Sequence, residues 1–503
     1  MFLARKLLYL FILIPFILYN VYLASSFVSK GEIELTSDIG RDFLLLQELD
    51  QKKIVLIGAR ANTQDVFHGV FWTYLNYPAY VIGHGNPVAI GWFWVILEVV
   101  FLLTTFFLLR SVFNAFVSLL AVALLSVNLI LRTYNIFGQE ATFYFMPFFL
   151  FTIHWYIKSK KAYFLMLHFV AVGIFIQLNV GIGSLFAMLS VLVSLFFIIK
   201  NKQWKHLLAF IILPGMLLNY IVFEIHHGFH IVRAMLHLGG SSEFLIPLQS
   251  WIQNRLNTIF AFQIFINSQS AIVIFLLTMF FTVIEIRRNS KQKVLLLLLA
   301  FYYFGYMILN YFNKGVLLVD YVYLLVPLTV IWLCALANGV YKVLFVPLLL
   351  IIIYSNFLFA AANLSSIQQS FIGKSPNSWI ALKTVAQSII DEQKGKEFGY
   401  YVYSPDSYAY QQRYAMIYAF ENAHAQADEY AKTNTTYVIV SPRPADQPFM
   451  GEDWWVKNEA KISSSPVEVK HFSGGYSVEK FLLTPDEQKI PHDPNIELKL
   501  HFR

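Results

Sequence analysis

The feature that most constrains this chain is a series of apolar stretches, each close to the roughly 20 residues that carry a helix across a hydrocarbon core. They cover approximately residues 7–26, 87–109, 112–131, 141–157, 162–178, 182–199, 206–224, 270–286, 294–312, 317–338 and 343–361. Backbone inside lipid must satisfy its own hydrogen bonds, so such stretches have to be helical. The expected fold class is an α-helical polytopic membrane protein with about eleven transmembrane helices. Composition agrees, since only 13% of the residues are charged against roughly 25% in soluble proteins. The single cysteine, Cys334, lies inside an apolar stretch. One cysteine excludes an internal disulfide, and its surroundings point to a small buried side chain. The first stretch follows Arg5 and Lys6 and is longer than a cleavable signal core, so it reads as a retained anchor.

A net charge of +7 fits either nucleic acid or a membrane surface. The basic residues are spread through short loops rather than gathered in a patch, which excludes nucleic acid. With the N-terminus inside, the inner segments carry Arg5, Lys6, Arg110, Lys158, Lys160, Lys161, Lys200, Lys202, Lys205, Arg287, Arg288, Lys291, Lys293 and Lys342, with no acidic residue in the loops between spans. The outer segments are much longer and sparser in Lys and Arg. That alternation sets orientation and predicts a multi-pass plasma-membrane protein with a cytoplasmic N-terminus. Residues 1–365 form the transmembrane module, with long outer loops at about 27–86 and 225–269. The amphipathic stretches GRDFLLLQEL and SWIQNRLNTIFAFQIF in those loops predict short interfacial helices. Residues 370–503 are polar and mix helical with strand-like patterns: NSWIALKTVAQSIIDEQ reads as helix, FGYYVYS, TYVIVSP and VEVKHF as strands, and SYAYQQRYAMIYAF as either. This predicts a small extracytoplasmic α/β domain.

Three polar clusters adjoin the spans. In LTSDIGRDFLLLQEL, Ser37 or Asp38 can cap a helix, and Arg41 and Asp42 follow within a turn. In DVFHGVFWTYLNYPAY, His68 and Gly69 precede a dense aromatic run, which on its own reads as an interfacial belt. In FEIHHGFHIVRAMLHL, His226, His227, His230 and Arg233 crowd the end of the seventh span. His226 and His230 share a face if this segment is one helix, and Glu224, His227 and His230 form a conceivable metal trio. No HExxH pattern occurs, and a basic strip suited to phosphate is the favoured reading, so no metal ligand is assigned. Glu98, Glu285 and Asp320 lie within spans, where acids are functional suspects by default. They keep open a lipid or polysaccharide transporter or flippase as a rival. A polysaccharide polymerase or ligase is the other rival.

Taken together, the layout and the stretch SDIGRDFLLLQEL resemble the GT-C superfamily of polytopic glycosyltransferases. The likeness is to the lipid A aminoarabinose transferases, the protein O-mannosyltransferases and the bacterial RgtA/B/C/D-like group. FHGVFWTYL is similar to that superfamily's second landmark, with His68 where aminoarabinose transferases carry Lys. Asp38 is followed by Ile39, so the paired acids of the mannosyltransferases have no counterpart. The resemblance implies transfer of a sugar from a polyprenyl-phosphate donor to a hydroxyl on a lipid, glycan or protein acceptor. It implies Asp38 as the catalytic base, with Arg41, His68 and Arg233 toward the donor phosphate. Asp42, His226, His227 and His230 are the secondary candidates. The resemblance allows a divalent ion without requiring one.

Overall fold

The computed structural model describes residues 2–61, 65–128, 136, 138, 140–238, 249–250, 268–310, 320–393, 395–423, 427–443 and 451–499. Each of the eleven apolar stretches contains helix. In chain order the helices are α1 (Phe2–Val28), α2 (Ser37–Lys52), α3 (Phe71–Ile82), α4 (Pro87–Arg110), α5 (Ala115–Ser126), α6 (Thr142–Ser159), α7 (Ala162–Leu178), α8 (Val180–Asn201), α9 (Ile212–Met216), α10 (Leu218–His226) and α11 (His230–Leu238). Then come α12 (Ser268–Arg287), α13 (Lys293–Leu309), α14 (Asp320–Tyr323), α15 (Leu325–Ala337) and α16 (Lys342–Phe371). Among the described residues five helices are long and apolar enough to cross a membrane unaided: α1, α4, α8, α12 and α16. The seventh stretch is broken. Its two parts, Trp204–Met216 and Leu218–His226, meet at 58°, just after Pro214, whose ring and missing N–H disrupt a helix. Helices α5, α7, α13 and the segment Tyr321–Ala337 are apolar but shorter. The amphipathic stretch expected from 251 onward lies outside the described residues.

The bundle is packed around one apolar core that includes Phe149, Phe175, Phe186, Tyr302 and Trp332. Cys334 is fully buried there, as its surroundings predict. The other faces of the long helices are studded with exposed Phe11, Ile96, Phe107, Phe196 and Ile351, the surface that lipid would cover. Glu98 on α4 is buried, and one of its oxygens accepts from the Tyr144 hydroxyl on α6 at 3.2 Å. Glu285 is buried near the end of α12.

Beyond α16 the chain forms α17 (Trp379–Gln393), β1 (Phe398–Tyr403), α18 (Tyr410–Ala423), β2 (Ala427–Glu429), β3 (Thr435–Val440), α19 (Glu452–Asn458), β4 (Glu468–His471) and β5 (Ser477–Leu482). The sheet order is β2-β1-β3-β5-β4. β1 runs parallel to β2 and β3, while β5 is antiparallel to β3 and β4. The three strand-like stretches of the sequence are β1, β3 and β4, and the ambiguous SYAYQQRYAMIYAF is α18. β2 and β5 carry no sequence pattern strong enough to have been expected.

The first loop and the tail share one core. Ile33, Ile39, Phe43 and Trp72 pack in the same cluster as Trp379, Tyr401, Tyr414 and Val438. Two devices hold them together. Glu32, fully buried, accepts from the backbone N–H of Trp379 at 2.7 Å and of Gly373 at 3.1 Å, and from the Ser378 hydroxyl at 2.5 Å. A carboxylate at the start of α17 satisfies donors that the helix itself cannot. The second device is close backbone approach. A Cβ on Gly40 would stand 2.6 Å from the backbone nitrogen of Gln411, so the backbones of α2 and α18 come this close only because residue 40 has no side chain.

Candidate active site

Helix α2 begins at Ser37, and its N-cap is Thr36, whose hydroxyl accepts from Ile39 N at 3.3 Å. This corrects the expectation that Ser37 or Asp38 caps it: three cap-forming residues stand in a row, and the first of them takes the role. Asp38 is therefore free of capping and sits in the first turn, where the helix end favours a carboxylate. Its side chain is 58% exposed and pairs with Arg41 Nη1 at 2.9 Å. Arg41 also faces Asp42, Nη2 to Oδ1 at 3.6 Å. The two carboxylates differ sharply in setting, for Asp42 is only 9% exposed. Burial pushes the Asp42 carboxyl up to about 7, against the opposing pull of Arg41 and with a further push from Asp38.

The second wall is a narrow hairpin in the first loop. Gly58 N donates to His68 O at 2.9 Å, His68 N to Ala59 O at 2.8 Å and Ala61 N to Val66 O at 2.8 Å, with Arg60 bridged to Phe67. Arg41 Nη1 reaches the Arg60 carbonyl at 3.4 Å, so α2 and the hairpin are joined through the guanidinium. The His68 imidazole is pushed down to about 3, first by burial and then by the charge of Arg41. It is thus neutral at physiological pH. Its Nδ1 accepts from Val180 N at 3.4 Å, at the start of α8, which leaves Nε2 to carry the proton. As a neutral donor it is a weaker phosphate ligand than the cation expected at this position.

The hairpin is tied into the bundle by amides. Gln177 Oε1 accepts from Val70 N at 3.0 Å, Gln177 Nε2 donates to Asn219 Oδ1 at 2.5 Å, and Asn219 Nδ2 donates to Leu56 O at 2.8 Å.

The histidine cluster is arranged differently from its sequence reading. Helix α10 ends at His226, and Gly228 and Phe229 both have left-handed backbone, φ 63° and 62°. Helix α11 restarts at His230, so His226 and His230 lie on separate helices and the shared face is lost. Glu224 accepts from Ile231 N and Val232 N at 2.9 and 3.0 Å, which commits its two oxygens to the start of α11. The His227 ring stacks on Phe223 with centroids 4.0 Å apart and contacts the Phe223 carbonyl. His230 pairs with Asp65 at 3.2 Å. Among the described residues no three His, Cys, Asp or Glu side chains are grouped to hold a metal ion. Arg233 is exposed on α11 and makes no ion pair among the described residues. The helix does pack beside the hairpin, through Ile231 against Ile57, Val66 and Phe67.

Sequence reasoning missed the contribution of the tail. Arg60 Nη2 donates to the Tyr408 hydroxyl at 3.1 Å, and Tyr408 stacks on Tyr410 with rings 8° apart. No local pattern announces a contact between residues this far apart in the chain.

No protein-family model matches the chain, and no curated protein matches it by sequence. Among solved structures it is similar to ArnT from Cupriavidus metallidurans bound to undecaprenyl phosphate. The match has a TM-score of 0.58 at 10% identity and covers 96% of this chain and 99% of that one. The chain has an ArnT-like fold. It is a membrane protein, as that fold and its apolar helices require. Covering 96% of the chain, the likeness extends over both the helical bundle and the tail.

Proposed function

We propose that this protein is a membrane glycosyltransferase that moves a sugar from a polyprenyl-phosphate donor to a hydroxyl acceptor at the outer face of the membrane. The observation that carries this reading is the exposed Asp38 carboxylate paired with Arg41 at 2.9 Å, set just beyond α1 on an ArnT-like fold. In the proposed reaction Asp38 takes the proton of the acceptor hydroxyl as its oxygen bonds to the anomeric carbon. The bond from that carbon to the lipid phosphate breaks, and the phosphate leaves with its added negative charge. A positioned base of this kind contributes roughly 10²–10⁴-fold, and a guanidinium near the departing oxygen favours the charge developing there. The proposal includes eleven crossings, a cytoplasmic N-terminus and the tail outside, supported by the Lys and Arg alternation.

The test compares glycans and lipid-linked sugars by mass spectrometry in cells with the protein, without it, and with Asp38→Asn. Because Thr36 rather than Asp38 caps α2, the variant should fold normally while losing the sugar-modified product. A normal product profile with Asp38→Asn would remove Asp38 from catalysis. An identical profile with and without the protein would remove the transferase reading.

A further inference from the structure

We infer that Arg60 is a second anion-binding guanidinium of this site and that Tyr408, from the tail, is its positioning residue. The inference rests on the transferase reading and adds a phosphate contact to it.

The argument begins with charge. Arg41 is paired with the Asp38 carboxylate at 2.9 Å and also faces the partly protonated Asp42 at 3.6 Å, so much of its charge is spent within the protein. Arg413, the other guanidinium near Tyr410, is held by Glu429 at 2.6 and 3.3 Å. His68 is neutral at physiological pH through burial and the charge of Arg41. A departing lipid phosphate needs cationic donors, and these three groups have little left to give. Arg60 differs from them. It is exposed and forms no ion pair among the described residues, yet it is held in place. Its carbonyl accepts from Arg41 at 3.4 Å, its backbone is bridged across the hairpin to Phe67, and its Nη2 donates to the Tyr408 hydroxyl at 3.1 Å. A phenol fixes the guanidinium without neutralising it, and among the described residues no carboxylate takes up the remaining N–H groups of the fork, which can meet an anion.

Tyr408 is itself firmly set. Ser407 and Ala409 on either side of it have φ of 63° and 54°, a backbone region that residues with a Cβ rarely adopt. Asp406 Oδ1 holds the turn by accepting from the N–H of Tyr408 and of Ala409, both at 3.1 Å. The ring rests on Tyr410 with centroids 5.2 Å apart, and the Arg60 guanidinium lies 5.9 Å from its centre. The tail thus presents one hydroxyl to one arginine of the first loop.

The test uses the full-length protein in nanodiscs, with undecaprenyl phosphate as the probe and affinity as the readout. Arg60→Gln should weaken binding on the order of tenfold, as expected for a lost charge-assisted bond, and Arg60→Lys by less. Tyr408→Phe should weaken it about threefold while leaving the melting temperature of the ligand-free protein unchanged, and should add nothing on the Arg60→Gln background. Unaltered affinity in Arg60→Gln would overturn the inference. An equal loss from Tyr408→Phe with or without Arg60 would overturn the positioning role. A wild-type protein that does not bind the probe would instead overturn the transferase reading, and the inference with it.

Discussion

Asp42 offers a measurable consequence of burying a carboxylate beside the candidate base. Its carboxyl rises from an ordinary 3.8 to about 7, because burial outweighs the attraction of Arg41 at 3.6 Å. At roughly 1.4 kcal/mol per tenfold change in proton affinity, this corresponds to about 4 kcal/mol. The sign follows from proton counting. Between pH about 4 and about 7 the folded protein holds a proton on Asp42 that the unfolded chain has lost. Stability therefore falls as pH rises through that window, and above about 7 the full cost of the buried charge is present. Asp42→Asn removes the titration while keeping the side-chain shape. Thermal unfolding of detergent-solubilised protein between pH 4.5 and 8.5 checks this. The variant should match or slightly trail the wild type at the acid end and exceed it by a few kcal/mol at the alkaline end. Parallel curves for the two proteins would refute the reasoning, since they would mean that Asp42 ionises without penalty.

Three further outcomes are expected. Glu32→Gln halves the carboxylate's acceptors toward Gly373, Ser378 and Trp379 and should cost about 3 kcal/mol, seen as faster release of the tail by limited proteolysis. Gly40→Ala places a Cβ 2.6 Å from Gln411 N, where backbone cannot yield, so it should cost about 1–3 kcal/mol and lower transfer without touching Asp38. Cysteines introduced on a Cys334→Ala background should react with an impermeant reagent in the tail and not in the loop 287–293; labelling of the tail only after lysis would reverse the proposed orientation.

The helical bundle was legible because a membrane crossing is written locally: about 20 apolar residues and the charges that flank them suffice. The Asp38–Arg41–Asp42 turn was legible for the same reason, since helical spacing alone brings i and i+3 together. The N-cap was misplaced because Thr36, Ser37 and Asp38 are all competent caps, and only backbone geometry decides among them. The shared histidine face was conditional on one continuous helix, and the left-handed backbone at Gly228 and Phe229 removes that condition, a glycine there being itself a sign of a break. Arg60, Tyr408 and Glu32 were not legible. Their partners lie hundreds of residues away, and nothing in a local window distinguishes them from ordinary surface or loop side chains.

The Glu32 latch has a consequence for how the protein is made. Its carboxylate belongs to the first segment to leave the ribosome after α1, whereas its hydroxyl partner on Ser378 follows 346 residues later. Until that partner emerges, the acid has only the neighbouring Ile33 N–H as a donor among the described residues, and the apolar face of α2 lacks Tyr414 to cover it. The first loop must therefore wait, incompletely folded, through the insertion of every later helix, a delay of the kind that long-range contacts impose. A nascent chain stopped anywhere before α17 would hold Asp38 and Arg41 without the α18 backbone that packs on Gly40, so the transfer proposed for this protein would arrive only with the final quarter of synthesis.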